Sequence, residues 1–479
     1  MKTKLLSRIA LLLSLMMLLM AVTGFALAEE EEDVFAQWNE DAPALNALID
    51  YVEAVTNENS PDYIPEVDRI AVFDMDGTLM GELYPTYLEY YMLAWRILKD
   101  ETITPDAEML EVGRLLRDCA LDNSFPSDMP MRHAVQAARA YAGLTLGEFE
   151  DFVTQVLVRD VDGFEGMTYA SCFYLPMVEV MEYLQDNGFK CYICSGSDRF
   201  ICRVFIEGML DIPYENIIGM DVELEATNQG DAEGLDYVFT ASDDVVRTDR
   251  LLIKNLKTNK VLQIAQEIGR KPVLSFGNSS GDVSMHNYTI YNNAYRSAAF
   301  MLVADDDVRD YGNPEKGAAL AEKWAASGYN VISMANDWKT IYGEDVVKTG
   351  AFHWLEDLAE DRVPSDAEAV SEPEDVQYVL YLGTNDKDTN KPVFTQEEAK
   401  EKAREILIRH FGGYTLQEAN GGWVDDDGTV YQEYTLVIYL SGTTADAVHA
   451  AADELIETFR QSSVLIQANP TTTEFYSTN

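Results

Sequence analysis

The chain is short of positive charge. Its 479 residues carry 35 Lys and Arg against 83 Asp and Glu, a formal net charge of -48. A field of that sign repels nucleic acid and anionic membrane surfaces, and argues against both as partners. It also opposes encounter with phosphorylated small molecules, so any phosphate site here needs its own local cation. The acidity otherwise reads as a solubility device on an exported chain. Histidine and cysteine are scarce as well, at five each. Cys191-x-x-Cys194 has no second CxxC and no nearby His to complete a zinc set, which leaves a buried or disulfide-linked structural role. The odd cysteine count leaves at least one thiol unpaired or paired between chains. Beyond the N-terminus no apolar run is long enough to read as transmembrane.

The N-terminus itself is distinctive. Lys2, Lys4 and Arg8 form a basic start, an apolar run follows from Ile9 to Ala28, and Glu29 opens an acidic stretch. Ala26-Leu27-Ala28 is a small-x-small cleavage pattern, so residues 1–28 read as a signal peptide. The expectation is a secreted or extracytoplasmic protein with no stable membrane span after cleavage. An uncleaved anchor is the competing reading.

Residues 29–64 read as an acidic, helical lead-in. From 65 to about 340, short apolar strands alternate with helices, which implies a mostly parallel sheet covered on both faces, an α/β fold. In such sheets the ligand sits at the carboxyl ends of the strands. This domain is expected to run over 65–360. Residues 361–375, rich in Asp, Glu, Pro, Ala and Ser, read as a linker. The remainder, 376–479, has its own pattern: strand 376–382, helix 395–410, strand 414–422, strand 429–440, helix 444–460 and strand 463–468. Thr395-Gln-Glu-Glu398 is a capping box, and Asp427-Gly428 marks a tight turn. The order βαββαβ is that of an α+β ferredoxin-like split sheet. It carries no catalytic cluster, and its partner is unknown. The Asp425-Asp426-Asp427 run reads as a solvated turn rather than a calcium site.

Four segments of the first domain carry chemistry. Asp74-Met75-Asp76-Gly77-Thr78-Leu79 follows the strand Arg69–Phe73, so two carboxylates spaced two apart can face one pocket. One suits attack on phosphorus and the other protonation of a leaving oxygen. Cys194-Ser195-Gly196-Ser197 follows the next strand and offers a hydroxyl and backbone N–H groups for a phosphoryl oxygen. Lys254, Lys257 and Lys260 cluster in a lysine-poor chain, and one of them can offset repulsion between phosphate and carboxylates. Gly277-Asn278-Ser279-Ser280-Gly281-Asp282 offers oxygen ligands suited to Mg²⁺ after another strand.

In this order, the four segments resemble the haloacid dehalogenase-like (HAD) hydrolase superfamily, nearest its phosphoserine-phosphatase-like branch, over residues 65–340. The resemblance implies a Rossmann-like core with a helical cap, here at about 81–171, and a Mg²⁺-dependent phosphatase acting through an aspartyl-phosphate. It implies that Asp74 is the nucleophile and a metal ligand, and that Asp76 is the acid and base and gives its backbone carbonyl to the metal. Thr78 would fix the turn, Ser195 and Gly196 would bind phosphate, and Lys260 would neutralise both nucleophile and phosphate. Asp282 and Asn278 would complete the metal site, with Asn278 standing where the family usually has an acid. Dehalogenases of the superfamily lack an acid at the position of Asp76, which favours phosphate esters here.

The cap would read the leaving group. Glu82, Tyr84, Tyr87 and Arg199 are its candidate contacts. Tyr84, Tyr87, Tyr90, Tyr91 and Trp95 offer an aromatic wall for a cationic amine, although most are expected to pack between helices. The expected substrate is a small phosphorylated metabolite, phosphoserine- or phosphocholine-like. The alternatives are a non-catalytic secreted binding protein on the same scaffold and a phosphotransferase.

Overall fold

The computed structural model describes residues 34–83, 85–353, 358, 376–387, 389–424 and 430–471. The expected signal segment 1–28, the expected linker 361–375, Tyr84 and the expected turn Asp425–Asp427 lie outside them. The chain divides into two compact units, Met1–Pro364 and Ser365–Asn479.

The first unit is α/β. Ile70–Phe73 (β1) is buried on every residue, as expected of a strand covered on both faces. Helix α1 (Pro43–Thr56) precedes it. The chain then builds four helices: α2 (Leu88–Leu98), α3 (Ala107–Asp118), α4 (Met129–Ala140) and α5 (Leu146–Leu157). Helix α6 (Leu175–Asp186) leads into β2 (Lys190–Asp198), followed by α7 (Arg199–Phe205) and the strands β3 (Ile217–Ala226) and β4 (Val245–Ile253). The short α8 (Thr258–Gln263) precedes β5 (Leu274–Gly277), α9 (Val283–Ile290), β6 (Ala298–Val303), α10 (Pro314–Ala326) and β7 (Asn330–Ser333). The strands lie in the order β4-β3-β2-β1-β5-β6-β7. All neighbours are parallel except β3 and β4. With β1 between β2 and β5, the turns after these three strands meet at one edge of the sheet.

The lead-in is part of this unit rather than a prelude to it. Trp38, Leu45, Leu48, Val52, Val55 and Ile64 all join the main core. The spacing of the four α1 residues puts them on one helical face. Trp38 Nε1 donates to Pro176 O at 2.8 Å, and its ring meets Trp338 edge-on at 5.9 Å. Tyr51 Oη donates to Arg296 O at 2.9 Å.

The four helices α2–α5 form the insertion between β1 and β2. Helix α5 starts at a complete capping box, Thr145 with Glu148. The aromatic side chains largely pack within the insertion: Tyr90 against Tyr87, Phe125 and His133, and Trp95 against Phe152. The insertion also docks on β4. Arg247 N donates to Leu144 O at 2.9 Å, and Gly143 N to Arg247 O at 2.8 Å. All five cysteines are free thiols, and all but Cys119 are buried, so the disulfide alternative falls and burial remains.

The second unit runs β8 (Val376–Gly383), α11 (Gln396–His410), β9 (Thr415–Val424), β10 (Val430–Leu440), α12 (Ala445–Phe459) and β11 (Leu465–Pro470). Its antiparallel sheet has the order β9-β10-β8-β11. Tyr378, Leu380 and Leu382 of β8 share a core with Ala403, Leu407 and Leu455 of the two helices. The alternation along β8 follows from the two-residue period of a strand with one face covered.

Candidate active site

Asp74 is the first residue after β1, and its N–H donates to Phe276 O of β5 at 2.9 Å. The chain then turns tightly, with Gly77 N donating to Met80 O at 2.8 Å and Leu79 N to Met75 O at 2.9 Å. Gly77 has φ 75°, the left-handed region that glycine enters without strain. Thr78 lies buried in this turn, and its hydroxyl has no hydrogen-bond partner among the described residues.

Lys260 of α8 reaches the same place from across the sheet edge. Its Nζ lies 2.5 Å from Asp74 Oδ1 and 2.6 Å from Asp282 Oδ1. The other oxygen of Asp282 accepts from Asn278 N at 3.2 Å and from Ser279 N at 3.0 Å. Burial pushes the Asp282 carboxyl up, but the Lys260 charge and hydrogen bond, His286 and the Ser279 N–H together outweigh it and the net shift is down. Asp74 goes the other way: burial raises it, the Asp282 charge adds to that, and Lys260 only partly offsets them. For Lys260 burial works against the charged form, yet Asp282 and Asp74 outweigh it and hold the ammonium charged. The lysine thus binds two carboxylates together in a water-poor place.

Asp76 faces the end of β2, which includes the segment Ser195–Ser197 expected to follow the strand, at the point where its register with β3 shifts. Ser197 Oγ donates to Asp76 Oδ2 at 2.7 Å, and Ser195 Oγ lies 3.4 Å from the same oxygen. Burial raises the Asp76 carboxyl, against the Ser197 hydrogen bond and the Lys254 charge. A carboxyl held above its ordinary range suits a proton donor. The segment it faces is itself gripped from behind. Asn255 Nδ2 donates to Ser195 O at 2.8 Å, and Lys254 Nζ to Gly196 O at 2.7 Å.

On the other side, Tyr87 Oη donates to Glu82 Oε1 at 2.8 Å, and Asn278 Nδ2 lies 3.5 Å from that oxygen. Burial raises Glu82. Thus Asp74, Asp76, Thr78, Glu82, Tyr87, Ser195, Gly196, Lys260, Asn278 and Asp282 gather at the ends of β1, β2 and β5. Tyr84 lies outside the described residues. Arg199 is not brought to the site. Its guanidinium is engaged by Asp221 at 2.7 Å, by Glu267 and by Ile217 O at 3.0 Å. It braces α7 against β3, and the proximity of Arg199 to the motif in sequence does not carry over into space. Of the other two lysines, Lys257 is exposed and Lys254 is buried.

Asp74, Asp76, Asn278 and Asp282 offer only oxygen donors, the set a hard cation such as Mg²⁺ requires. Asp74 is buried and Asp76 and Glu82 are half-buried, all three with raised carboxyls, a crowding of acids that a divalent cation would relieve. Among the described residues no three His, Cys, Asp or Glu side chains converge as a ready metal cluster, because Lys260 stands between Asp74 and Asp282. The donor chemistry fits the ion, and Lys260 holds the carboxylates meanwhile.

Three residues of the site escaped the sequence reading of roles, Ser197, Asn255 and Glu89, and Lys254, read there as a candidate cation for phosphate, instead holds Gly196 O. Lys254 and Asn255 directly follow β4, the same after-a-strand position that singled out the aspartates. Glu89 carries no such signal, being the second residue of an aromatic helix.

The family described as "Protein of unknown function (DUF3574)" matches residues 377–475. No curated protein matches the chain. Among solved structures, a conserved functionally unknown protein from Anaerococcus prevotii DSM 20548 is 15% identical, covering 62% of this chain and 92% of its own, with a TM-score of 0.37. A phosphoserine phosphohydrolase-like protein from Francisella tularensis subsp. tularensis SCHU S4 is 14% identical, covering 55% of this chain and 94% of its own, with a TM-score of 0.29. Cytosolic 5'-nucleotidase IIIB bound to cytidine is 10% identical, covering 60% and 84%, with a TM-score of 0.37. Among the described residues no helix is long and apolar enough to cross a membrane.

Proposed function

We propose that the first unit is a HAD-like, Mg²⁺-dependent phosphomonoester hydrolase acting on a small phosphorylated metabolite, phosphoserine- or phosphocholine-like, outside the cytoplasm. The single observation that carries this reading is the Lys260 bridge between Asp74 and Asp282, set beside an Asp76 held by Ser197. It puts two carboxylates of opposite tasks next to each other, Asp74 beside an ammonium and Asp76 beside a hydroxyl, with burial raising Asp76.

In this reading an Asp74 oxygen attacks phosphorus, the bond to the leaving oxygen breaks, and Asp76 gives that oxygen its proton. The same Asp76, now a carboxylate, takes a proton from water as the water oxygen displaces Asp74 from phosphorus. Phosphate and the alcohol leave, and Asp76 is protonated again. In this reading the Ser195 hydroxyl and the Gly196 N–H hold phosphoryl oxygens through both steps. Lys260 favours the ionised form of Asp74 against its burial and offsets repulsion in a chain of net charge -48. Mg²⁺, when bound by Asp74, the Asp76 backbone carbonyl, Asp282 and Asn278, would neutralise charge on the phosphoryl group.

Phosphate release from a panel of phosphomonoesters, with Mg²⁺ and with EDTA, tests the reading in wild type and Asp74→Asn. Metal-dependent release that disappears in the variant supports it. Release that survives Asp74→Asn removes the aspartyl-phosphate. Asn278, in place of an acid, favours a second reading, a secreted binding protein. That reading is upheld by Mg²⁺ binding without turnover on any ester of the panel.

A further inference from the structure

Glu89 belongs to the helical insertion, yet its carboxylate leaves the insertion and enters the core. It is the second residue of α2 and is buried. One oxygen accepts from the backbone N–H of Asp198, directly after Ser197. The other lies 3.7 Å from Lys254 Nζ, the ammonium that donates to Gly196 O. Asp198 is also fixed at its side chain, which pairs with Arg247 Nη2 at 2.6 Å and caps Phe200 N at 2.9 Å.

The irregular end of β2, Ser195–Asp198, is therefore held at three backbone points. Asn255 takes Ser195 O, Lys254 takes Gly196 O, and Glu89 takes Asp198 N. Asn255 and Lys254 belong to the core, whereas Glu89 alone comes from the insertion. A hydrogen bond from an N–H to a carboxylate is about twice as strong as a neutral one, and burial removes the water that would replace it. The segment's conformation is thus tied to where α2 sits.

We propose that Glu89 is a positioning residue of the active site: by holding Asp198 N–H and Lys254, it sets the Ser195–Ser197 end of β2, and through Ser197 the carboxyl of Asp76, only when the helical insertion is docked. The proposal rests on the phosphatase reading for its catalytic part. Its structural part stands alone. Without α2 in this position, Asp198 N–H would lose its acceptor and Lys254 its counter-charge. The segment would then lose the set of its N–H groups, and Asp76 the hydroxyl that orients it. Hydrolysis of a substrate would so be confined to the docked, water-poor state.

The test compares wild type, Glu89→Ala and Glu89→Gln. Gln keeps an acceptor for Asp198 N–H, and Ala does not. On an alkyl phosphate, whose leaving oxygen needs a proton, Glu89→Ala is expected to lower kcat/KM on the order of 100-fold. On p-nitrophenyl phosphate, whose leaving group needs none, the loss is expected to be under about 10-fold. Glu89→Gln is expected to recover most of the difference. A purely structural role would lower both substrates alike and leave no split, and that result overturns the proposal. Hydrogen exchange of the Ser195–Asp198 amides is read in the same proteins. It is expected to accelerate in Glu89→Ala, with β4 amides unchanged. Unchanged exchange at Ser195–Asp198 overturns the proposal whether or not any ester is hydrolysed. If wild type hydrolyses nothing but exchange responds as expected, the phosphatase reading fails and the positioning stands.

Discussion

Gly77 and Asn278 stand so close that a Cβ built on Gly77 would lie 1.9 Å from Asn278 Nδ2. Two turns from different strands meet there, one bearing both candidate catalytic aspartates and the other a candidate metal ligand. Gly77 also has φ 75°, so a side chain is strained there by conformation as well as by contact. Gly77→Ala is expected to cost about 1–3 kcal/mol of stability and to suppress phosphate release. Thermal melting and turnover of the variant check this. An Ala variant with wild-type turnover would mean that the Asn278 turn does not sit against Gly77 in the working protein.

Asp76 is held by Ser197 and pushed toward its protonated form by burial. Asp76→Ala is expected to lower kcat on alkyl phosphates by about 10²–10⁴-fold. Aryl phosphates with good leaving groups should lose far less in the first step. Rapid-quench measurement of the first turnover on both substrate types separates the two. Equal losses would place the leaving-group proton elsewhere.

Arg247 and Asp198 form an ion pair with side-chain exposures of 0% and 3%. The guanidinium also lies 3.9 Å over the Phe149 ring of α5. Arg247→Met leaves the Asp198 carboxylate buried without its partner, at an expected cost of about 3–5 kcal/mol. Asp198→Asn combined with Arg247→Met should be less destabilised than Arg247→Met alone, because no charge then remains unpaired. Urea unfolding of the variants measures both effects. A double variant no better than the single one would show that packing on Phe149, not charge, dominates.

Glu89 is pushed up to about 7 from 4.5, by burial first, with Lys254 opposing and Asp76 and the Asp198 side chain adding to the rise. His133, which lies against the Glu89 backbone, is held neutral by burial. The folded chain therefore keeps this proton where the unfolded chain has released it. Its contribution to stability is fully present below 4.5 and is lost as pH rises through about 7. Relative to Glu89→Gln, wild type should lose up to about 3 kcal/mol across that window. Denaturant unfolding of both proteins from pH 4.5 to 8 checks the slope. A constant difference would mean that Glu89 is already ionised throughout.

The sequence made the sheet order of events legible because each site segment directly follows an apolar strand. Asp74 after β1, Ser195 at the end of β2 and Asn278 after β5 all lie where such folds put their ligands. The second unit was legible almost residue by residue, since alternation along its strands and a capping box at Thr395 mark its elements. What stayed hidden depends on pairings between distant segments. Arg199 is next to a motif in sequence, but its charge is consumed by Asp221 and Glu267. Glu89 sits in an aromatic helix as an ordinary polar residue, and only the docking of that helix brings it to Asp198. Trp38 lies just beyond an acidic run, which masked its place in the core.

The contact of Trp38 with Trp338 also has a consequence in time. During synthesis the segment around Trp38 emerges about 300 residues before its partner, a delay of roughly 15–60 s at ~5–20 residues per second. Throughout that interval the apolar face of α1 has no finished surface to cover it. The first unit closes only when the chain's later stretch returns to its beginning, so whatever shields that early helix during synthesis governs how much of the protein folds.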